Sequence, residues 1–316
     1  MPNRLLLALA SQESLARFSM GSPALRPMVL RFVAGERLDE AVAVTNVLNA
    51  DGVHVALDHL GENTTDRESA QGAVTSYLDA VQAIVERKLD ANISVKLTAM
   101  GLDVADDVAV ENLCTVLGTA AQHDIFVRVD MEASVYTART LEVLVRARTA
   151  GHTNTGPVIQ AYLYRSESDV AQLVADGVRV RLCKGAYDEA PNLAFRRKRD
   201  TDRNYVRLMK TLLQHGVYPA IATHDEEIIT HARGFAAARG IGPDRFEFQM
   251  LYGVRRDLQE TLSAAGYNVR VYLPYGAQWY PYLMRRMAER PANLAFVVGS
   301  MTRDARLPAT AAGTLA

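Results

Sequence analysis

VRVRLCKGA, residues 178–186, is a short stretch rich in Val and Leu that runs into a lysine and a glycine. A connection from Tyr187 to Arg199 leads to a helix-period segment at 200–215, opened by Thr201 and Asp202 and closed by Gly216. The next apolar run, Ala220 to Asp225, ends at His224. That is one strand–helix unit leading to a parallel neighbour. The unit recurs in both directions, with further runs at Val53 to Gly61, Ile93 to Met100, Ile125 to Glu132, Val158 to Tyr164, Phe246 to Gly253 and Val269 to Gly276. Helix-period segments at 68–90, 106–123, 136–150, 167–176, 225–239 and 256–265 stand between the strands, and Gln278 to Arg290 follows the last one.

Eight strands alternating with helices predict an α/β fold, a distorted (β/α)8 TIM-type barrel with N-terminal helices and a final helix over its mouth. The strands read as apolar almost throughout, as a sheet covered on both faces requires. Residues 1–50 form a helical extension, in which Leu38, Ala41, Val42, Thr45 and Leu48 make one stripe. Residues 51–300 form the catalytic barrel. In residues 301–316 the composition turns to Ala, Thr, Gly and Pro, which reads as a flexible tail.

At 316 residues, 49% hydrophobic and 22% charged, the chain can bury a large core. A net charge of −1 gives no electrostatic reason to expect nucleic acid. The two cysteines, Cys114 and Cys183, make neither a disulfide framework nor a metal pair. Met1 to Ala10 is too short for a signal h-region and reads as a helix capping the barrel bottom. The expected location is cytoplasmic, at most peripheral at the inner face of the cell membrane. GxGxxG, GxxxxGK[ST] and HExxH patterns do not occur, which removes Rossmann, P-loop and zincin readings, and a nucleotide cofactor, if one binds, must sit at the barrel mouth.

In a barrel of this kind the active site is built where the strands end, at Asp58, Lys96, Asp130, Gln160, Lys184, His224, Tyr252 and Tyr275. Lys96 and Lys184 stand among apolar neighbours and need a counter-ion, for which Asp130 is the natural candidate. A barrel lysine can also form a Schiff base, as in an aldolase or lyase. An ion pair that only holds layers of the barrel together is the plainer alternative. The final helix carries Arg285, Arg286 and Glu289 near Tyr272, Tyr275, Trp279 and Tyr282. The set suits a clamp for a carboxylate or phosphate beside an aromatic wall, or a solvated Arg/Glu face. His54, His59 and His224 have no spacing that forces a metal site, and none is expected. Arg196 to Arg199 is a basic run of the sort found at a helix start or on a lid.

The segments SVKLTAMG (94–101), VDMEAS (129–134), IQAYLYR (159–165), RLCKGAYDE (181–189), ATHDEE (222–227), FQMLYGVRRDLQ (248–259) and VYLPYGAQWYPYLMRRMAER (271–290) together resemble the flavin-dependent proline dehydrogenases. The resemblance runs in order from about residue 30 to 300 and implies FAD at the barrel mouth and oxidation of L-proline to 1-pyrroline-5-carboxylate. It further implies a membrane quinone as electron acceptor and a pyrroline-5-carboxylate dehydrogenase as partner. Carried over by position, Asp130, Arg181 and Tyr272 are the catalytic residues. Lys96, Arg285 and Arg286 hold the proline carboxylate, with Glu289 beside the arginines. Tyr272 and Tyr282 pack on the ring, and Leu251 covers it. Met131, Gln160, Arg181, Lys184, Gly185, Ala186, Thr223 and His224 line the flavin. Cys183 and Asp188 depart from the family's usual residues at the flavin. A non-catalytic amino-acid-binding barrel is the remaining alternative, but it would leave Arg181, Lys184, Gln160 and His224 without a use.

Overall fold

Four strands carry the same alternation: Val127-Arg128-Val129-Asp130, Val178-Arg179-Val180-Arg181, Phe246-Glu247-Phe248-Gln249 and Val269-Arg270-Val271-Tyr272. Successive strand residues face opposite sides, so one pattern divides each strand between two environments. The Val and Phe members join the hydrophobic core packed under the helices. The Arg, Glu and Gln members point into the barrel.

The computed structural model describes residues 26–289, and their side chains except at 27, 28 and 285–289. Met1 to Ala10 and the tail at 301–316 lie outside the described residues. Helices α1 (Arg26–Leu30) and α2 (Leu38–Ala50) precede the barrel, and Ala41 and Thr45 of the expected stripe are buried. The strands are β1 (His54–His59), β2 (Ala91–Val95), β3 (Val127–Val129), β4 (Thr155–Gln160), β5 (Arg181–Cys183), β6 (Ala220–Ala222), β7 (Glu247–Leu251) and β8 (Asn268–Tyr275). Between them run α3 (Arg67–Arg87), α4 (Asp106–Ala121), α5 (Ser134–Thr149), α6 (Ser166–Ala175), α7 (Lys198–His215), α8 (Glu226–Ala238) and α9 (Arg256–Ala264), and α10 (Trp279–Glu289) follows β8. Every strand pairing is parallel, and β1 pairs with β8 to close the barrel in sequence order.

Helix boundaries follow local chemistry. Asp66 caps α3 by accepting from the Ser69 amide at 2.8 Å, and Lys88 ends that helix at φ +52. Asp225 caps α8 through the Glu227 amide. Helix α10 is seated at the barrel mouth by a small apolar cluster in which Trp279, Tyr282 and Met284 meet Leu60, Val29 and Val33.

The barrel interior differs from the near-continuous apolar strands expected from the sequence. Its lower layer holds Arg128, Glu247 and Arg270, each at most 9% exposed. Arg270 Nε donates to Glu247 at 3.0 Å, and Arg128 and Arg179 lie over the Phe126 ring at 4.7 and 4.3 Å. Charged groups so deep are tolerated because they are paired or hydrogen-bonded. A second charged layer lies above this one, at the strand ends.

Candidate active site

Asp58, on an inward position of β1, is fully buried. Lys96 lies one residue past the end of β2, and its ammonium donates to Asp58 Oδ1 at 2.6 Å. It stands 3.8 Å from Asp130 Oδ2 and 3.4 Å from the Tyr272 hydroxyl. That hydroxyl donates to Asp130 Oδ2 at 2.6 Å. The other oxygen of Asp130 accepts from Arg181 Nη1 at 2.8 Å, while Arg181 Nη2 donates to Ser94 Oγ at 3.1 Å. The Arg181 guanidinium also lies 5.3 Å from the centre of the Tyr272 ring. Anions and cations thus alternate along one chain, Asp58, Lys96, Asp130, Arg181, with Tyr272 bridging its middle.

The electrostatics fix two of these groups. Burial alone would lower the Lys96 pKa, but Asp58 and Asp130 outweigh it and hold it well above its ordinary value. Burial, then Asp130 and Asp58, pushes the Tyr272 phenol well above its usual range, so it is a neutral donor. A Schiff-base lysine must be a free amine at working pH, and Lys96 is held as an ammonium.

Gln160 ends β4. Its Nε2 donates to the carbonyls of Glu132 at 2.7 Å and Met131 at 3.4 Å. These bonds orient the amide, and Gln160 Oε1 is left buried with no protein partner, as is Arg181 Nε. An acceptor at the end of β4 and a donor at the start of β5 therefore stand unsatisfied on adjacent strands, the condition expected where a polar planar ligand completes the bonding. Gly185 has φ +107, and a Cβ there would come within 2.2 Å of the Tyr162 ring, so the strand-end turn is open only to glycine. Ala186 beside it is half-buried. His224 accepts the Leu251 amide on Nε2 at 2.9 Å, which puts its ring proton on Nδ1 and ties the end of β6 to β7. Thr223 is buried and its Oγ1 accepts from the Asp225 amide at 3.1 Å. Tyr282 on α10 is buried and close enough to Tyr272 to act on its ionisation.

Lys184 departs from expectation. Its ammonium is bound by Asp202 of α7 at 2.6 Å and Asp225 at 2.7 Å, on the rim between β5 and β6, and Asp130 is not its partner. Burial would raise the Asp225 pKa, but Lys184 and Lys198 outweigh it and bring it to about 2. Lys198, from the basic run, shares both acids. Tyr252 and Tyr275 end their strands on the outer side, where both pack on the helix-facing core and Tyr275 meets the His59 ring at 5.3 Å. The Tyr187 to Arg199 connection is pinned down: Glu189 accepts the Ser134 amide at 2.7 Å and the Ser134 hydroxyl, and Leu163 bridges to Ala194. Cys183 is half-buried, and the exposed Asp188 lies 3.9 Å from Arg196. The side chains of Arg285, Arg286 and Glu289 lie outside the described residues.

Alternating charges, an oriented glutamine and a buried arginine thus line the barrel mouth. The family model for proline dehydrogenase matches residues 41–298. The chain belongs to the proline dehydrogenase family. Proline dehydrogenase 2 of Bacillus subtilis (strain 168) is 40% identical over 273 residues, spanning 86% of this chain and 90% of that protein. Proline dehydrogenase of Deinococcus radiodurans is 40% identical over 297 residues, 92% of this chain and 94% of its own. Among solved structures, proline utilization A from Bdellovibrio bacteriovorus inactivated by N-propargylglycine superimposes with a TM-score of 0.80 at 27% identity. That match covers 89% of this chain and 34% of the larger protein, so the proline dehydrogenase chain spans about a third of its length.

Proposed function

We propose that this protein oxidises L-proline to 1-pyrroline-5-carboxylate at the barrel mouth, with FAD as its cofactor and a membrane quinone as the onward electron acceptor. The observation that carries this reading is the chain Asp58–Lys96–Asp130–Arg181 bridged by Tyr272, with Gln160 Oε1 and Arg181 Nε buried and unpartnered beside it. FAD, when bound, supplies the hydride acceptor. Gln160, Arg181, Lys184 and His224 are the polar groups assigned to hold it, with Met131, Gly185, Ala186 and Thr223 in contact.

Loss of hydride from the ring carbon beside nitrogen leaves an iminium cation, so the amine must react in its neutral form. Lys96, with Arg285 and Arg286, binds the carboxylate and so orients the ring while keeping fixed cations away from the reacting carbon. Asp58 holds Lys96 in place. Tyr272 and Tyr282 pack on the ring, and Leu251 covers it against water. Arg181, aimed by Asp130 and Ser94, stabilises the negative charge gained on hydride acceptance.

Residues 1–50 are proposed as a helical extension, 51–300 as the catalytic unit and 301–316 as a tail. No helix among the described residues is long and apolar enough to cross a membrane. Peripheral contact at the inner face of the cell membrane fits delivery of electrons to a quinone, and a separate pyrroline-5-carboxylate dehydrogenase is proposed as the partner that consumes the product. An absorption spectrum of the purified protein tests the cofactor: flavin bands that are released intact on denaturation are expected. Colourless protein that FAD does not reconstitute overturns the reading.

A further inference from the structure

Proline is rare inside a fully paired sheet because it has no amide hydrogen to give to the ladder, and a closed barrel has no edge strand to receive it. Pro157 nevertheless lies in β4, between β3 and β5. The register Val158↔Arg181, Ile159↔Leu182 and Gln160↔Cys183 continues into a bond from the Ala161 amide to the Cys183 carbonyl at 2.8 Å. A parallel ladder repeats every two residues along each strand. Stepping back from Ala161, the donors on this side of β4 are Ile159 and then position 157, and the acceptors are the carbonyls of Arg181 and then Arg179. Pro157 cannot make the last bond.

The Arg179 carbonyl is not left bare. Arg128 Nη1 donates to it at 2.8 Å and also to the Pro157 carbonyl at 3.2 Å. Arg128 comes from β3, on the far side of β4, and is 1% exposed. The room comes from Gly156, the β4 partner of Arg128, where a Cβ would stand 2.0 Å from the Arg179 carbonyl oxygen and 3.3 Å from Arg128 Nη1. Phe126 supports the bridge from the side, beneath both guanidiniums.

We propose that Arg128 replaces the missing amide of Pro157, splicing the β4–β5 ladder with a side chain, and that through this splice it is a positioning residue for Arg181. The geometry repeats at two levels. Below, Arg128 of β3 donates to the backbone of Arg179; two residues further along both strands, Arg181 donates to Asp130 at 2.8 Å. A ladder amide would hold the Arg179 carbonyl within the sheet. The guanidinium holds it toward the barrel axis instead and so sets how far Arg181 reaches across β4. The role in catalysis rests on the proline-oxidation reading, whereas the splice itself does not.

The test is a double-mutant cycle in the full chain, with Arg128→Met and Pro157→Ala made singly and together, read by thermal midpoint and by proline kinetics. Pro157→Ala should leave kcat/KM within about twofold of the parent. Arg128→Met alone should lower the midpoint and reduce kcat at least tenfold with little change in KM, because the carboxylate clamp is untouched. In the Pro157→Ala background the same change should cost under threefold, because the restored amide takes over the Arg179 carbonyl. If Arg128→Met alone does not fold, recovery of folded protein in the double variant supports the splice, and failure to recover overturns it. Equal losses in both backgrounds also overturn it, leaving Arg128 as a core filler or a partner for Glu247. The thermal midpoints decide the splice even if proline is not the substrate.

Discussion

The phenol of Tyr272 and the carboxylate of Asp130 are joined at 2.6 Å, and the same carboxylate holds Arg181 through its second oxygen. Tyr272 therefore has two functions that can be separated, an aromatic wall for the substrate ring and a hydrogen bond that fixes the acid. Tyr272→Phe keeps the wall and removes the bond. A bond to a charged group contributes about 1.5–3 kcal/mol, so kcat/KM for proline should fall roughly ten- to a hundredfold. Steady-state kinetics check it, and an unchanged value means that Asp130 does not depend on Tyr272 for its position.

Asp58 was conspicuous in the sequence as a strand-end acid, yet nothing there tied it to Lys96. With Asp58 fully buried and Lys96 7% exposed, removing one partner strands the other in a medium that does not solvate it. Asp58→Ala should destabilise by about 3–5 kcal/mol in urea unfolding, and the double variant Asp58→Ala/Lys96→Met should recover most of that loss. Additive losses would show that the two groups do not act as a pair.

Glu132 gives a pH signature in stability. Burial pushes its carboxyl up to about 7 from 4.5, against the opposing hydrogen bonds from the Thr98 hydroxyl and amide. Between these values the folded state keeps a proton that the unfolded chain has lost. The contribution is therefore full below 4.5 and disappears as pH rises through about 7. Relative to Glu132→Gln, which cannot titrate, the parent should lose about 3 kcal/mol of unfolding free energy between acid and mildly alkaline pH. Parallel pH curves for the two proteins would contradict the assignment.

What the sequence made legible follows from periodicity. Apolar runs and helical stripes give element order, and element order gives a closed parallel barrel, so the strand ends are legible in the sequence. Pairings between those ends are a different matter, because they depend on how far each side chain reaches across the barrel. For Lys184 the sequence offers Asp130 as the obvious strand-end acid, but its partners Asp202 and Asp225 come from a helix start and a neighbouring loop on the rim. Tyr252 and Tyr275 occupy strand ends with the wrong parity. The signal for all of this was present in the alternation around Arg128, Arg179, Glu247 and Arg270, which marks inward positions residue by residue. Taken only as apolar runs, those stretches do not show it.

Lys96 is held as an ammonium beside the assigned carboxylate site, and a nearby cation favours the neutral form of the bound proline amine. Since only that form can lose hydride, kcat/KM should rise with pH from neutrality into the mildly alkaline range and then level off. A pH–rate profile checks it, and a flat profile from neutrality upward contradicts it.

The central claim is that the charged mouth of this barrel moves a hydride from L-proline to a bound flavin. Anaerobic addition of L-proline to the purified, FAD-loaded protein measures that step alone, without a quinone or a partner enzyme. The flavin absorbance should bleach, and Arg181→Met should slow the bleaching far more than it weakens proline binding. Flavin that stays fully oxidised under saturating L-proline, in protein that is folded and loaded, would contradict the account.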